Sequence, residues 1–195
     1  MKRLTKISIS TLALTSTLLC TQTQAEGFNY NYAQLNYTFF NDFVVDQGIS
    51  VAGSYDVMDN VNLLGSYFVS TSSDKVDLDS YSLGLGYHSS FNYNTDFLGE
   101  IGLFNSSADT KLGNTTINSD NSGYFMAVGA RHRLHEKVEV NARAEHRNSD
   151  NVTDTHFTFG GRYYYKPNVS FGAEFDTGAD DSSESITSSV RWSFK

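Results

Sequence analysis

The sequence predicts an all-β chain, a transmembrane antiparallel up-and-down β-barrel of about ten strands. Three observations lead there. Apolar and polar residues alternate with a period of two along most of the chain, the pattern of half-buried strands. Tyr (12), Phe (14) and Gly (15) are abundant and Pro occurs once, a composition that suits pleated surfaces and spares the donors of a hydrogen-bonded ladder. The bulky faces alternate with faces of small and charged residues too poor in large groups to pack a dry interior. A soluble barrel buries its large side chains inside; here they must meet lipid.

Residues 1–25 read as a secretory signal peptide. Lys2, Arg3 and Lys6 form a basic start, Ile7 to Leu19 a short apolar stretch, and Thr23-Gln24-Ala25 a small-residue cleavage site. A membrane helix is disfavoured because the stretch is short and broken by Ser and Thr. Cys20, the one cysteine, falls inside this segment behind Leu19, which does not suit a lipoprotein signal. The mature chain, 26–195, is therefore expected to hold no disulfide. Three basic residues leave with the signal and no acidic ones, so the net charge moves from −8 to −11. Such a chain lacks the basic patch that nucleic acid requires.

Ten strands are expected at 28–40, 47–57, 61–72, 78–89, 96–107, 122–134, 138–148, 155–165, 169–178 and 185–194. In "GISVAGSYDV", Ile49, Val51, Tyr55 and Val57 oppose Ser50, Ala52, Ser54 and Asp56. "SYSLGLGYH" and "THFTFGGRYYY" repeat the alternation. Short turns at Met58-Asp59-Asn60, 92–95, His135-Glu136 and Lys166-Pro167-Asn168 alternate with longer acidic connections. Short inner turns, longer outer loops and an even strand number are the habit of outer-membrane barrels. Each strand supplies the roughly 9–11 tilted residues that the bilayer core demands. Eight strands is the alternative count, because 28–40 does not keep one parity.

Aromatics gather in two bands near the strand ends. Tyr55, Tyr87, Phe97, Tyr163, Tyr165, Trp192 and Phe194 lie toward the inner side, and Tyr37, Phe39, Tyr67, Tyr81, Tyr124 and Phe157 toward the outer. In "VRWSFK", Trp192 and Phe194 form a terminal strand of the type read by the barrel-assembly machinery, although Lys195 follows the last aromatic. "AEGFNYNYAQLNY" and "VDLDSYSLGLGYH" resemble the small proteobacterial outer-membrane barrels once described as sulfation-dependent quorum factors. The resemblance implies a fold and an outer-membrane location; it carries no catalytic residues and no signalling role.

"VEVNARAEHR" then poses the question of where its charges go. The faces opposite lipid carry Asp56, Glu100, Glu139, Glu145, Glu174 and Asp176, and Arg131, Arg133, Arg143, Arg147, Arg162 and Arg191. A charge facing lipid costs roughly 2–4 kcal/mol at the midplane, so the lumen is their place. Confinement there demands pairing, which the arginine fork suits. The expectation is a salt-bridged lumen in a structural or cell-surface interaction protein. The alternative is a charged constriction that selects ions or small solutes.

Enzymatic function is not expected. Asp77-Leu78-Asp79 and Asp154-Thr155-His156 resemble the rim pairs of the omptin proteases, whose carboxylates and imidazole activate a water. Here the first pair shares parity with lipid-facing residues and the second with lumen-facing ones, and the chain is much shorter than an omptin. His88, His132, His135, His146 and His156 show no close metal-ligand spacing, and no Gly-rich turn leads from a strand into a helix, so no metal or cofactor is expected. The outer connections are acidic, with Asp42, Asp46, Asp74, Asp77, Asp79, Asp109, Asp120, Asp150, Asp180, Asp181 and Glu184 against Lys75 and Lys111. A solvated rim explains them; sharing divalent cations with lipopolysaccharide is the functional version. Membrane lipid and lipopolysaccharide are the expected partners.

Overall fold

A computed structural model describes residues 28–41, 46–71, 76–112, 115–150, 153–179 and 184–194. The signal segment with Cys20, and Asp42, Asp74, Asp180 and Asp181, lie outside the described residues. Ten antiparallel strands close on themselves: β1 (Tyr32–Asn41), β2 (Gln47–Met58), β3 (Val61–Thr71), β4 (Val76–Asn92), β5 (Thr95–Leu112), β6 (Thr115–His135), β7 (Val138–Ser149), β8 (Thr153–Lys166), β9 (Val169–Gly178) and β10 (Glu184–Ser193). Each strand pairs with its sequence neighbours, and β1 pairs with β10 from Tyr32↔Ser193 to Asn41↔Glu184. Closure satisfies every ladder and removes the sheet edges within the membrane, which lipid cannot tolerate. The count is ten, not eight.

The alternation sets which side chains point where. Leu103 is 69% exposed and Val128 67% on the outer face, while the residues that alternate with such positions along each strand turn inward. Exposed apolar side chains in that number would be untenable in water and are what a lipid-facing wall needs. Inner turns are tight, at Asp59-Asn60, Tyr93-Asn94, Glu136-Lys137 and Pro167-Asn168. Each follows a one-residue register shift, between Asp56 and Met58, Ser90 and Asn92, Arg133 and His135, and Tyr164 and Lys166. The skipped residues Val57, Phe91, Leu134 and Tyr165 are all exposed, so each bulge sets one more apolar group at the inner interface. Asn60 takes φ 66° in its turn, a conformation Asn tolerates better than most residues.

Three expectations need correction. The first strand was expected at 28–40 but begins at Tyr32; Phe28 to Asn31 fold into the inner mouth instead, because the rings of Phe28 and Tyr30 find arginines there (below). Strands β5 and β6 run well past 96–107 and 122–134 at their outer ends. Their Ser-, Thr- and Asn-rich ends stand above the bilayer, where no apolar alternation marks a strand. The inward faces also proved far from poor in bulk, since Tyr32, Leu64, Phe68, Leu98, Phe104, Phe125 and Tyr164 all turn into the lumen and are buried. Glycines on neighbouring strands make the space. A Cβ built at Gly102 would lie 2.5 Å from the Leu83 carbonyl and 2.5 Å from the Phe125 ring, so that ring lies flat on bare backbone.

Candidate functional site in the barrel lumen

The lumen is stacked in three layers, each placed by the inward parity of its strands. At the inner layer, Arg131 of β6 donates to Glu139 of β7 at 2.7 Å, and both are 0% exposed. The Tyr164 hydroxyl donates to the same Glu139 oxygen at 3.0 Å. Phe28 lies under Arg131, with its centroid 4.0 Å from the guanidinium carbon, and under Arg133 at 4.6 Å; Tyr30 is 5.3 Å from Arg131. Tyr30 also stacks on His88 at 3.6 Å and donates to Asp96 at 2.7 Å. Asn31 donates to Asp56 at 3.2 Å and accepts from its amide at 2.7 Å. The segment ahead of β1 is therefore tied to β2, β4, β5 and β6, and packs into the inner end.

Beside it, Arg191 lies over Tyr32 at 3.8 Å and donates from Nε to the Gln34 side-chain carbonyl at 2.6 Å. Arg162 donates to the same carbonyl at 3.0 Å, to Ser189 at 3.1 Å and to Ser170 at 3.2 Å. One neutral amide thus holds two guanidinium groups. Space for Arg162 exists because Gly172 has no Cβ, which would sit 2.8 Å from the guanidinium. Across the sheet, the Glu174 side chain lies over Gly160 in the same way.

In the middle layer, Arg143 donates to Glu100 from Nε at 3.1 Å and from Nη2 at 2.8 Å, and also to Glu145. Glu145 accepts in addition from Arg147, whose guanidinium lies 5.3 Å from the Phe104 centroid. Four charges thus form one alternating chain of donors and acceptors, the arrangement that offsets burial of ions. At the outer layer, His156 sits between Asp154, 3.0 Å from Nε2, and Asp176, 3.1 Å from Nδ1, and Thr158 donates to Asp176 at 2.8 Å. Opposite, Phe68, Leu78 and Ala108 form a buried apolar cluster with Phe40 packed against it. That cluster caps the outer mouth along β3 to β5.

All twelve lumen charges singled out from the sequence point inward. The structure joins Arg131 to Glu139, Arg143 to Glu100 and Glu145, and Arg147 to Glu145; Asp176 meets His156. Arg162 departs from the expected carboxylate pairing, since its hydrogen bonds go to neutral groups. Arg133 is only half-buried and sits over a ring. Trp192 is 59% exposed on the lipid face and meets Phe194 edge to face at 6.3 Å. The omptin-like pairs do not converge: Asp79 faces out on β4, while His156 is 2% exposed inside the lumen. Among the described residues no group of three or more His, Cys, Asp and Glu is placed to hold a metal.

Several lumen residues escaped the sequence reading. Tyr164 was legible, because it shares the inward parity of Arg162 in the run Tyr163-Tyr164-Tyr165. Gln34 and Asp96 carried a weaker parity signal. Phe28 and Tyr30 carried none, since they lie outside any strand.

Comparison with known proteins agrees with this architecture. The profile of the outer membrane protein beta-barrel domain matches residues 11–163. A sequence search of curated proteins finds no match. Among solved structures, the chain is similar to the KdgM porin (TM-score 0.53, 9% identity, 84% of this chain and 99% of that one). It is also similar to the N-terminal β-barrel domain of Pseudomonas aeruginosa OprF (TM-score 0.50, 12% identity, 85% and 99%). At those identities the likeness is one of fold alone.

Proposed function

The chain belongs to the outer membrane protein beta-barrel domain family and resides in the bacterial outer membrane, and from that premise we propose that it is a closed structural barrel displaying an interaction surface at the cell exterior. The observation that carries this reading is the burial of the lumen ions. Arg131, Glu139 and Arg191 are 0% exposed, and Arg143, Glu145, Arg147 and Arg162 are all buried. Charges lining a water-filled pore would be bathed by it. These side chains keep 9% or less of their surface exposed, and apolar or aromatic side chains lie toward both ends of the stack.

In this reading the charges fix the barrel's cross-section. The Arg131–Glu139 contact joins β6 to β7 and the Arg143–Glu100 contact joins β7 to β5, so a slip of register would strand buried ions at several kcal/mol. The lipid-facing aromatic bands meet membrane lipid and lipopolysaccharide, and Trp192 and Phe194 present the terminal strand to the assembly machinery. No catalytic step is assigned.

Single-channel recording tests the proposal. The refolded mature protein, its folding confirmed by a heat-dependent gel shift, is expected to leave a planar bilayer silent. A steady current whose ion selectivity changes in Arg143→Ala would overturn the closed-barrel reading and make the lumen a conduit.

A further inference from the structure

The outer rim is not level, and its highest part carries an open sheet edge. Pairing of β5 with β6 continues through 18 residue pairs, to Leu112↔Thr115, with no register shift. Pairing of β6 with β7 stops at Gly123↔Ser149. Strand β7 ends there and β8 begins at Thr153, so nothing among the described residues follows β6 upward. Thr115 to Ser122 thus keep one ladder, to β5, and leave the other side of their backbone open. Eight residues at about 3.4 Å each make roughly 27 Å of edge. Strand β4 backs the hairpin from behind, pairing Val76↔Thr110 and Asp77↔Asp109.

Edges of this kind are normally blunted by Lys, Pro or a bulge. "TTINSDNS", residues 115–122, contains no Lys, Arg or Pro, and its ladder has no bulge. The outward face beside the edge is acidic. The register sets Asp77, Asp109 and Asn118 in one row, and Asp79, Ser107 and Asp120 in the next. Asp79 and Asp120 are exposed, and Ser107 donates to Asp120 at 2.7 Å. Like charges placed side by side across strands are destabilising, and a bound cationic side chain relieves that cost.

We propose that the Thr115–Ser122 edge of β6 docks an extended, cationic segment of a partner protein by strand addition, with Lys or Arg at alternate outward positions meeting Asp120 and reaching toward Asp109. This rests on the surface-interaction reading above and names its site and partner chemistry. Main-chain hydrogen bonds to the edge supply the pairing, and the carboxylate rows choose the sequence. A second copy is the poorer fit. Two barrels in one membrane are related by an axis along the membrane normal, which leaves both β6 strands running inward and denies them antiparallel pairing. An acidic flap also repels its own copy.

The test uses the refolded mature protein in nanodiscs and two ten-residue peptides, one alternating Lys with Thr and one alternating Glu with Thr. Fluorescence anisotropy reads binding, and hydrogen exchange reads the amides of 115–122. The expected result is binding of the Lys peptide alone, weakened by salt, with new protection confined to those amides. The variant Asp109→Asn/Asp120→Asn should fold and bind about tenfold more weakly. Absence of binding at low salt overturns the proposal, as does equal binding of both peptides. Binding without protection also overturns it, reducing the contact to charge adsorption. A dimeric mass with 115–122 protected in the absence of peptide makes a second copy the occupant and overturns it too. Bilayer current on the same preparation would sink the closed-barrel reading while leaving the peptide result to stand or fall alone.

Discussion

From β1 to β4 the lumen face is built of Gln34, Asn36, Thr38, Ser50, Ala52, Ser54, Asn62, Ser66, Ser80 and Ser82, with Leu64, Phe68, Leu78 and several glycines among them. From β6 to β10 it carries Arg131, Glu139, Arg143, Glu145, Arg147, His156, Arg162, Glu174, Asp176 and Arg191. One wall is mostly short and neutral, the other long and charged, with β5 contributing Asp96 and Glu100 between them. The two walls meet where β10 pairs with β1: Arg191 ends on Gln34 and lies over Tyr32, and Arg162 reaches the same Gln34 from β8. A narrow barrel cannot hold large groups from both sides. The difference teaches that the two walls fail in opposite ways, one by losing a charge and the other by gaining bulk.

The largest effect is expected from the charged wall. Arg131→Met leaves Glu139 buried with the Tyr164 hydroxyl alone and should cost about 3–5 kcal/mol, read by urea unfolding in lipid vesicles. Adding Glu139→Gln should recover more than half of that; a double variant as unstable as the single one would mean that packing, and not charge, governs this layer. The outer faces should abolish the contrast, because both walls meet the same lipid. Leu85→Arg and Phe175→Arg should each cost about 2–4 kcal/mol in the same assay, and a large disparity between them would show that one face is shielded from lipid.

Overpacking is the characteristic failure of the short side and of the strand beside it. Gly102→Leu drives a side chain into the Leu83 carbonyl and the Phe125 ring and should cost about 1–3 kcal/mol. Unfolding at the wild-type urea midpoint would mean that the ring moves aside freely. The smallest effect belongs to Ser66 and Ser82, whose hydroxyls meet at 2.7 Å. Ser66→Ala should cost about 1 kcal/mol, and adding Ser82→Ala little more, because the second change removes a group already deprived of its partner.

Much of this architecture was legible beforehand, and particular residues show why. Leu83 and Leu85 alternate with Ser82 and Gly84, and one face had to meet lipid; that fixes parity, and parity alone sends Arg143 and Glu145 inward. Which carboxylate each arginine meets was not legible. Arg143 meets Glu100, 43 residues away, past the intervening β6, and Arg191 meets Gln34, 157 residues away, because closure pairs β10 with β1 and sets those two residues opposite each other. Arg162 was expected to find an acid and found Gln34, Ser170 and Ser189 instead. The overhanging hairpin was missed because polar residues on both faces leave no period to read.

By itself, then, the sequence determined a spanning barrel, the inward and outward sets, the side on which the tight turns fall, and the outer-membrane address, because each follows from alternation against lipid or from local turn chemistry. Only the tertiary structure decided that large side chains crowd the lumen, that Phe28 and Tyr30 pack at its inner mouth, and that β6 rises past its neighbour with an open edge. Those outcomes depend on which strands face one another across the closed sheet and on where adjacent ladders stop, quantities set by closure and register that no local period encodes.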